Sequence, residues 1–203
     1  MARQDCLRVV LWLALALLLP QVMPGQTEPI VSQARVLIQT ELGDIEVELD
    51  GQRAPITTEN FLKYVDGGLY DGGRFHRTVK LNPDNQPNNA VKIEVIQAGR
   101  NPEKQGFPPI PLERTNVTGL KHLDGTLSMA RAGPDTATSV FSICLGAQPG
   151  LDYGGKRNPD GQGFAAFGRV VKGREVVWKI HQAPVEAQRL TPPIKIMAIK
   201  RIK

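Results

Sequence analysis

Two polar side chains stand out for the chemistry they could share. Arg77 closes the triplet Phe75-His76-Arg77, and Gln97 opens the triplet Gln97-Ala98-Gly99. A loop rich in Asn and Pro separates them, with a β-like segment on either side. A guanidinium is permanently charged and carries several N–H donors in a rigid fork. A carboxamide can accept from that fork and still donate elsewhere. Whether the two residues can act together depends on whether the flanking segments pair.

Other reactive residue types carry less. His76, His122 and His181 show no metal-ligand spacing, and no metal or cofactor is expected. Cys144, in the apolar run "VFSICLG", reads as a buried strand residue rather than a nucleophile. Cys6 is the only other cysteine and lies in the N-terminal apolar segment, so a chain trimmed of that segment has no internal disulfide. "GGLYDGG" reads as a helix stop and turn, not a phosphate loop. Trp178 is expected in the core, and Asn116 begins an Asn-Val-Thr glycosylation triplet. The net charge of +5 is spread along the chain and aromatics are few, which argues against a nucleic-acid surface.

The elements that would position these residues are mostly strands. "ARVLIQTELGDIEVELD" alternates apolar and polar on both sides of Leu42-Gly43-Asp44, the pattern of a β-hairpin. "APITTENFLKYVDGG" predicts a helix with Pro55 in its first turn and Gly67-Gly68 as its stop. Ile56, Phe61, Leu62 and Val65 form its expected buried stripe. "GRFHRTVK", "VKIEVIQAG", "GTLSMARAG", "SVFSICLG", "FAAFGRVVKG" and "IKIMAIKRI" read as strands. "REVVWKIHQ" reads as a second helix with Val176, Val177 and Ile180 facing the core. Many closely spaced strands with two helices predict one mainly antiparallel barrel or sandwich.

At the N-terminus, Arg3 and Arg8 precede an apolar run from Val9 to Leu19 that ends at Pro20. That run is short for a membrane span and has the length of a signal-peptide core. The division expected is a signal peptide over 1–25, a linker over 26–34 and one domain over 35–203. The destination is periplasmic or secreted, with an uncleaved membrane anchor as the alternative. After signal removal no stable membrane insertion is expected, and a monomer is.

Three segments carry a family resemblance: "ELGDIEVELDGQRAPITTENFLKYVDGGLYDGGRFHR", "GLKHLDGTLSMARAGPDTATSVF" and "GFAAFGRVVKGREVVWKI". In their order and content the chain resembles the cyclophilins, the peptidyl-prolyl cis/trans isomerases, and most closely their compact bacterial branch. The resemblance implies a closed eight-stranded antiparallel β-barrel capped by two α-helices, with a groove on its outside. It implies proline-containing peptides or unfolded client proteins as partners, without nucleic acid or cofactor. The family's catalytic arginine falls on Arg77 and its glutamine on Gln97. The pair that binds substrate backbone falls on Ala130 and Arg131. Val95, Ser142, Leu151 and Phe164 fall on positions lining the groove.

Several positions depart from the family pattern. Val140-Phe141-Ser142 stands where "QFF" is common, so the floor of the proline pocket has a Ser in place of a Phe. Glu94 replaces an aromatic, and Gly150 stands where Trp or Phe is usual. Loss of a ring removes about 1.5–3 kcal/mol of apolar contact. Tyr153, in the long loop "LDYGGKRNPDGQG", is a candidate to refill the space. That loop and the one between Arg77 and Gln97 are both longer than the family norm. Two rival readings remain open: a cyclophilin-like binding or chaperone module with weak or no isomerase activity, and, more remotely, a hydrolase, although no nucleophile–base pair is recognisable in the sequence.

Overall fold

Alternating burial along the first hairpin starts the barrel. In the computed structural model, which describes residues 33–202, β1 (Arg35–Thr40) and β2 (Gly43–Leu49) pair from Arg35↔Glu48 to Thr40↔Gly43. Val36, Ile38, Ile45, Val47 and Leu49 turn inward. Gly43 sits at φ 128°, which a side chain rarely adopts. The regions 1–25 and 26–32 assigned to the signal peptide and most of the linker lie outside the described residues.

The remaining strands are β3 (Arg74–Val79), β4 (Val95–Gly99), β5 (Thr126–Met129), β6 (Phe141–Cys144), β7 (Ala165–Lys172), β8 (Val185–Glu186) and β9 (Arg189–Ile202). The order is β1-β2-β7-β5-β6-β4-β3-β9, and β1 pairs with β9 to close the ring. This is the expected closed eight-stranded antiparallel barrel. The two-residue β8 is an addition that folds back on β9 as a hairpin. Closure removes exposed strand edges.

Among the described residues three α-helices accompany the barrel rather than the expected two. α1 (Pro55–Asp66) packs against β7 and β9, and α3 (Arg174–Gln182) packs against β2, β3 and β4. The third, α2 (Thr115–Thr118), is a single turn ended by left-handed Gly119. Its sequence "TNVT" has no apolar period, which is why it escaped notice.

The stripe on α1 also differs. Ile56 is exposed, whereas Phe61, Leu62, Tyr64 and Val65 are buried. Glu113 instead occupies the start of this helix, accepting from the backbone N–H of Ile56 at 3.0 Å and of Thr57 at 2.7 Å. A carboxylate there satisfies two orphan donors and suits the helix dipole. Of the two stop glycines only Gly68 is left-handed. On α3, Val176, Val177 and Ile180 are buried as expected, but Trp178 is largely exposed.

Candidate active site

The outer face of the barrel carries one polar row and one apolar row. Side chains two residues apart on a strand share a face, so pairing register determines both rows. Arg77 on β3 stands opposite Gln97 on β4, and Gln97 opposite Ser142 on β6. One step along, Val79 stands opposite Val95, and Val95 opposite Cys144. Inward-facing Phe75, Ile96, Ala98 and Phe141 belong to the barrel core between these rows. A register irregularity between Phe75 and Arg77 turns the guanidinium outward.

Hydrogen bonds link the polar row. Arg77 Nη1 donates to Gln97 Oε1 at 3.3 Å, and Gln97 Nε2 donates to Ser142 Oγ at 3.3 Å. Ser142 therefore accepts the amide that orients Arg77. Gln188, just before β9, takes the other side of the guanidinium: its Oε1 accepts from Arg77 Nε at 2.8 Å and also from Nη2. Of the five N–H donors, one on each of Nε, Nη1 and Nη2 is engaged, leaving one on each terminal nitrogen. Burial lowers the pKa of Arg77 from its ordinary value, yet an arginine stays charged. Burial also lowers the pKa of His76, with repulsion from Arg77 and Arg74 acting in the same direction. A cavity of about 300 Å³ opens beside Arg77, lined by His76, Gln188 and Arg189.

The apolar row is roofed. Val79, Ile93, Val95, Cys144 and Leu151 form a second cluster separate from the barrel core, with Phe164 packed on it. Cys144 is buried there and its thiol pKa is pushed up by desolvation, so it is inert. Val95 and Leu151 are each 3% exposed and Ser142 6%.

Tyr153 does not refill the space left by the missing rings, because it points to solvent. The two extended loops fill it together. A Cβ placed on Gly150 would lie 2.5 Å from Val91 Cγ1, so the glycine admits the valine where the family has a ring. Buried Gln86 ties the ends of the first loop, donating to Lys80 O at 2.7 Å and Ile93 O at 2.8 Å. Arg157 of the second loop donates to Gln86 Oε1 at 2.6 Å and Val91 O at 2.8 Å. Its pKa is lowered by burial first and then by the charge of Arg77.

Ala130 and Arg131 follow β5. Ala130 N donates to Val140 O at 2.9 Å, while the carbonyl of Ala130 and the backbone groups of Arg131 take no backbone partner among the described residues. The Arg131 side chain turns away, donating to Gly163 O at 2.7 Å and bidentately to Asp160 at 2.7 and 2.9 Å. It also lies 5.0 Å from the centre of the Phe164 ring. Hydrogen bonds from Arg131 push the Asp160 carboxyl down to about 2. The backbone of Arg131 is thus left unpaired by other backbone groups while its side chain braces Phe164.

The structure also reveals a Ser–His–Asp chain that the sequence concealed. His122 Nε2 lies 2.9 Å from Ser128 Oγ, and His122 Nδ1 lies 2.8 Å from Asp152 Oδ1. Ser128 is 2% exposed, so no substrate carbonyl can reach its oxygen. Asp152 adjoins Leu151 and Ser128 precedes Met129, so the chain ties the Leu151 loop to β5. Its role is positional, and the hydrolase reading gains nothing from it. Gln188 was equally invisible, because a glutamine in a short hairpin carries no signal until β9 pairs with β3.

A family model described as "Cyclophilin type peptidyl-prolyl cis-trans isomerase/CLD" matches residues 35–201. The chain is 37% identical over 180 residues to peptidyl-prolyl cis-trans isomerase A of Dickeya dadantii, covering 85% of this chain and 86% of that one. It is 34% identical to a peptidyl-prolyl cis-trans isomerase of Acinetobacter baylyi, covering 84% and 86%. A crystal structure of a cyclophilin-type isomerase from Cryptosporidium parvum superposes with a TM-score of 0.68 at 25% identity, covering 84% of this chain and 98% of that one. With the family model spanning the whole barrel and the relatives matched over most of their length, the chain belongs to the cyclophilin-type peptidyl-prolyl cis-trans isomerase family.

Proposed function

We propose that this protein accelerates cis–trans isomerisation of X-Pro bonds in exported polypeptides and so assists their folding. The observation that carries the reading is Arg77: it is held at three N–H groups and keeps one free on each terminal nitrogen, beside a cavity. Resonance holds the X-Pro bond planar behind a barrier of about 18–20 kcal/mol. Catalysis requires the twisted form to be bound better than either planar form. On twisting, the imide nitrogen regains a lone pair that can accept from one free N–H of Arg77. The other free N–H can hold the prolyl carbonyl. No covalent bond forms and no proton is lost. Gln97 and Gln188 hold the fork, so little reorganisation accompanies the twist. Ala130 and Arg131 offer backbone to the client, and of the four wall positions only Phe164 stays partly open, Val95, Ser142 and Leu151 being buried. The N-terminal apolar segment supports export.

The test is an isomerisation assay on an X-Pro test peptide with wild type and Arg77→Ala. Removing a transition-state donor is expected to lower kcat/KM about 10²–10³-fold. A wild type that gives only the uncatalysed rate would refute the reading.

One observation favours the binding-module alternative. Val95, Ser142 and Leu151 are covered, so the wall offers little open apolar surface. Suppression of client aggregation that survives in Arg77→Ala, together with negligible isomerase rate, would select that alternative.

A further inference from the structure

Basic side chains collect on one side of Arg77 with no acid among them. Beside the small cavity at Arg77 lies another of about 520 Å³, lined in part by Arg74, His76, Arg100, Ser139 and Arg189. The two share His76 and Arg189, so they adjoin. Neither is lined by an Asp or Glu.

Ordinary surface arginines on this molecule have partners. Arg35, Arg53, Arg169, Arg174 and Arg201 all pair with carboxylates. By contrast, Arg74 and Arg189 make no side-chain hydrogen bond or ion pair among the described residues, although Arg189 stands directly opposite Arg77 across β3 and β9. Like charges in direct register repel. Arg100 spends Nη1 on the carbonyls of Asn101 and Lys104 and pairs with no carboxylate. A bland solvated face would intersperse signs, as the rest of the barrel does. Unpaired guanidinia around a cavity, one in repulsive register with Arg77, are what an anion would relieve. The fork geometry favours a planar or tetrahedral oxyanion held bidentately.

We propose that the Arg74–Arg100–Arg189 cavity is an anion subsite of the groove, selecting clients with an acidic side chain within a few residues of the X-Pro bond. It rests on the isomerase reading for its catalytic consequence, but not for binding. The shared chemistry is an oxyanion, supplied by a Glu or Asp carboxylate or by a phosphorylated hydroxyl. The charge comes from arginines and not from His76, which burial keeps neutral at neutral pH, so selection needs no acidification.

The experiment compares short peptides of the form Glu-Ala-X-Pro, Gln-Ala-X-Pro and phosphoserine-Ala-X-Pro, with the acidic residue also moved to the prolyl-following side. Both kcat/KM and Kd, the latter by fluorescence anisotropy, are read on wild type and on Arg74→Ser/Arg189→Ser. Wild type should favour Glu over Gln by about tenfold, or 1.4 kcal/mol, in one of the two placements at low salt. The ratio should fall towards one in the double variant. A phosphoserine ratio above the Glu ratio would assign the site to phosphate, and the reverse to carboxylate. Equal Glu and Gln values in both placements, or a preference that survives the double variant, would overturn the proposal. If wild type isomerises none of the peptides, the isomerase reading fails, and the Kd ratios alone still decide the subsite.

Discussion

Gln188 Oε1 sits in the fork of Arg77, accepting from Nε at 2.8 Å and also from Nη2. Its own amide donates to Asn85 O at 2.5 Å, and Asn85 Nδ2 donates to Ala187 O at 2.5 Å. The first extended loop therefore reaches Arg77 through the β8–β9 hairpin, which explains how a long loop can serve a distant fork.

Gln188→Ala is expected to lower kcat several-fold with a smaller change in KM, because its main effect is to free the fork. Its expected stability change is about 0.5–1.5 kcal/mol, the worth of an ordinary hydrogen bond. Steady-state kinetics alongside urea midpoints separate the two effects. A change confined to KM would remove Gln188 from the positioning role.

Gly150→Ala should destabilise the fold by about 1–3 kcal/mol, as overpacking does, because the new methyl meets Val91 Cγ1 at 2.5 Å. In Val91→Ala the collision is absent. The double variant should then be more stable than the sum of the single effects implies. Additivity in thermal unfolding would mean that the two loops do not meet at this point.

Glu113→Ala leaves the first N–H groups of α1 without their acceptor. A loss of about 0.5–2 kcal/mol is expected, the range for a lost helix cap. The measurement is thermal unfolding, and isomerase activity per folded molecule should not move.

Stability should fall as pH drops below about 6.5, the unfolded histidine value. Burial depresses the pKa of His181, with the charge of Lys80 adding to it, and burial depresses His76 as well. The unfolded chain then binds more protons, so stability is complete above 6.5 and declines as pH falls towards the folded values. His181 Nε2 lies 3.3 Å from Glu94 Oε1 yet makes no hydrogen bond. Burial raises the pKa of Glu94, which acts in the opposite direction. Urea midpoints at pH 7.5 and 5.5 check this, and His181→Gln should shrink the difference.

Much of the molecule was legible because local rules decided it. Period-two alternation exposed β1, β2 and β9, and Pro55 and Gly68 bracket α1 where a helix can begin and end. The "FHR" and "SMAR" segments placed Arg77, Ala130 and Arg131 by resemblance. What stayed hidden depends on partners far along the chain. Ile56 looked like core until Glu113, 57 residues on, claimed the start of the helix.

The linear chain therefore specified the eight barrel strands and most of their inward-facing residues, since these follow from periodicity and side-chain type, and resemblance singled out Arg77. It could not specify what surrounds that arginine. Gln188 stands 111 residues from Arg77, and Val91 meets Gly150 across two loops of no regular period. Such contacts exist only once β3 pairs with β9 and β4 with β6, because those pairings bring distant segments onto one outer face.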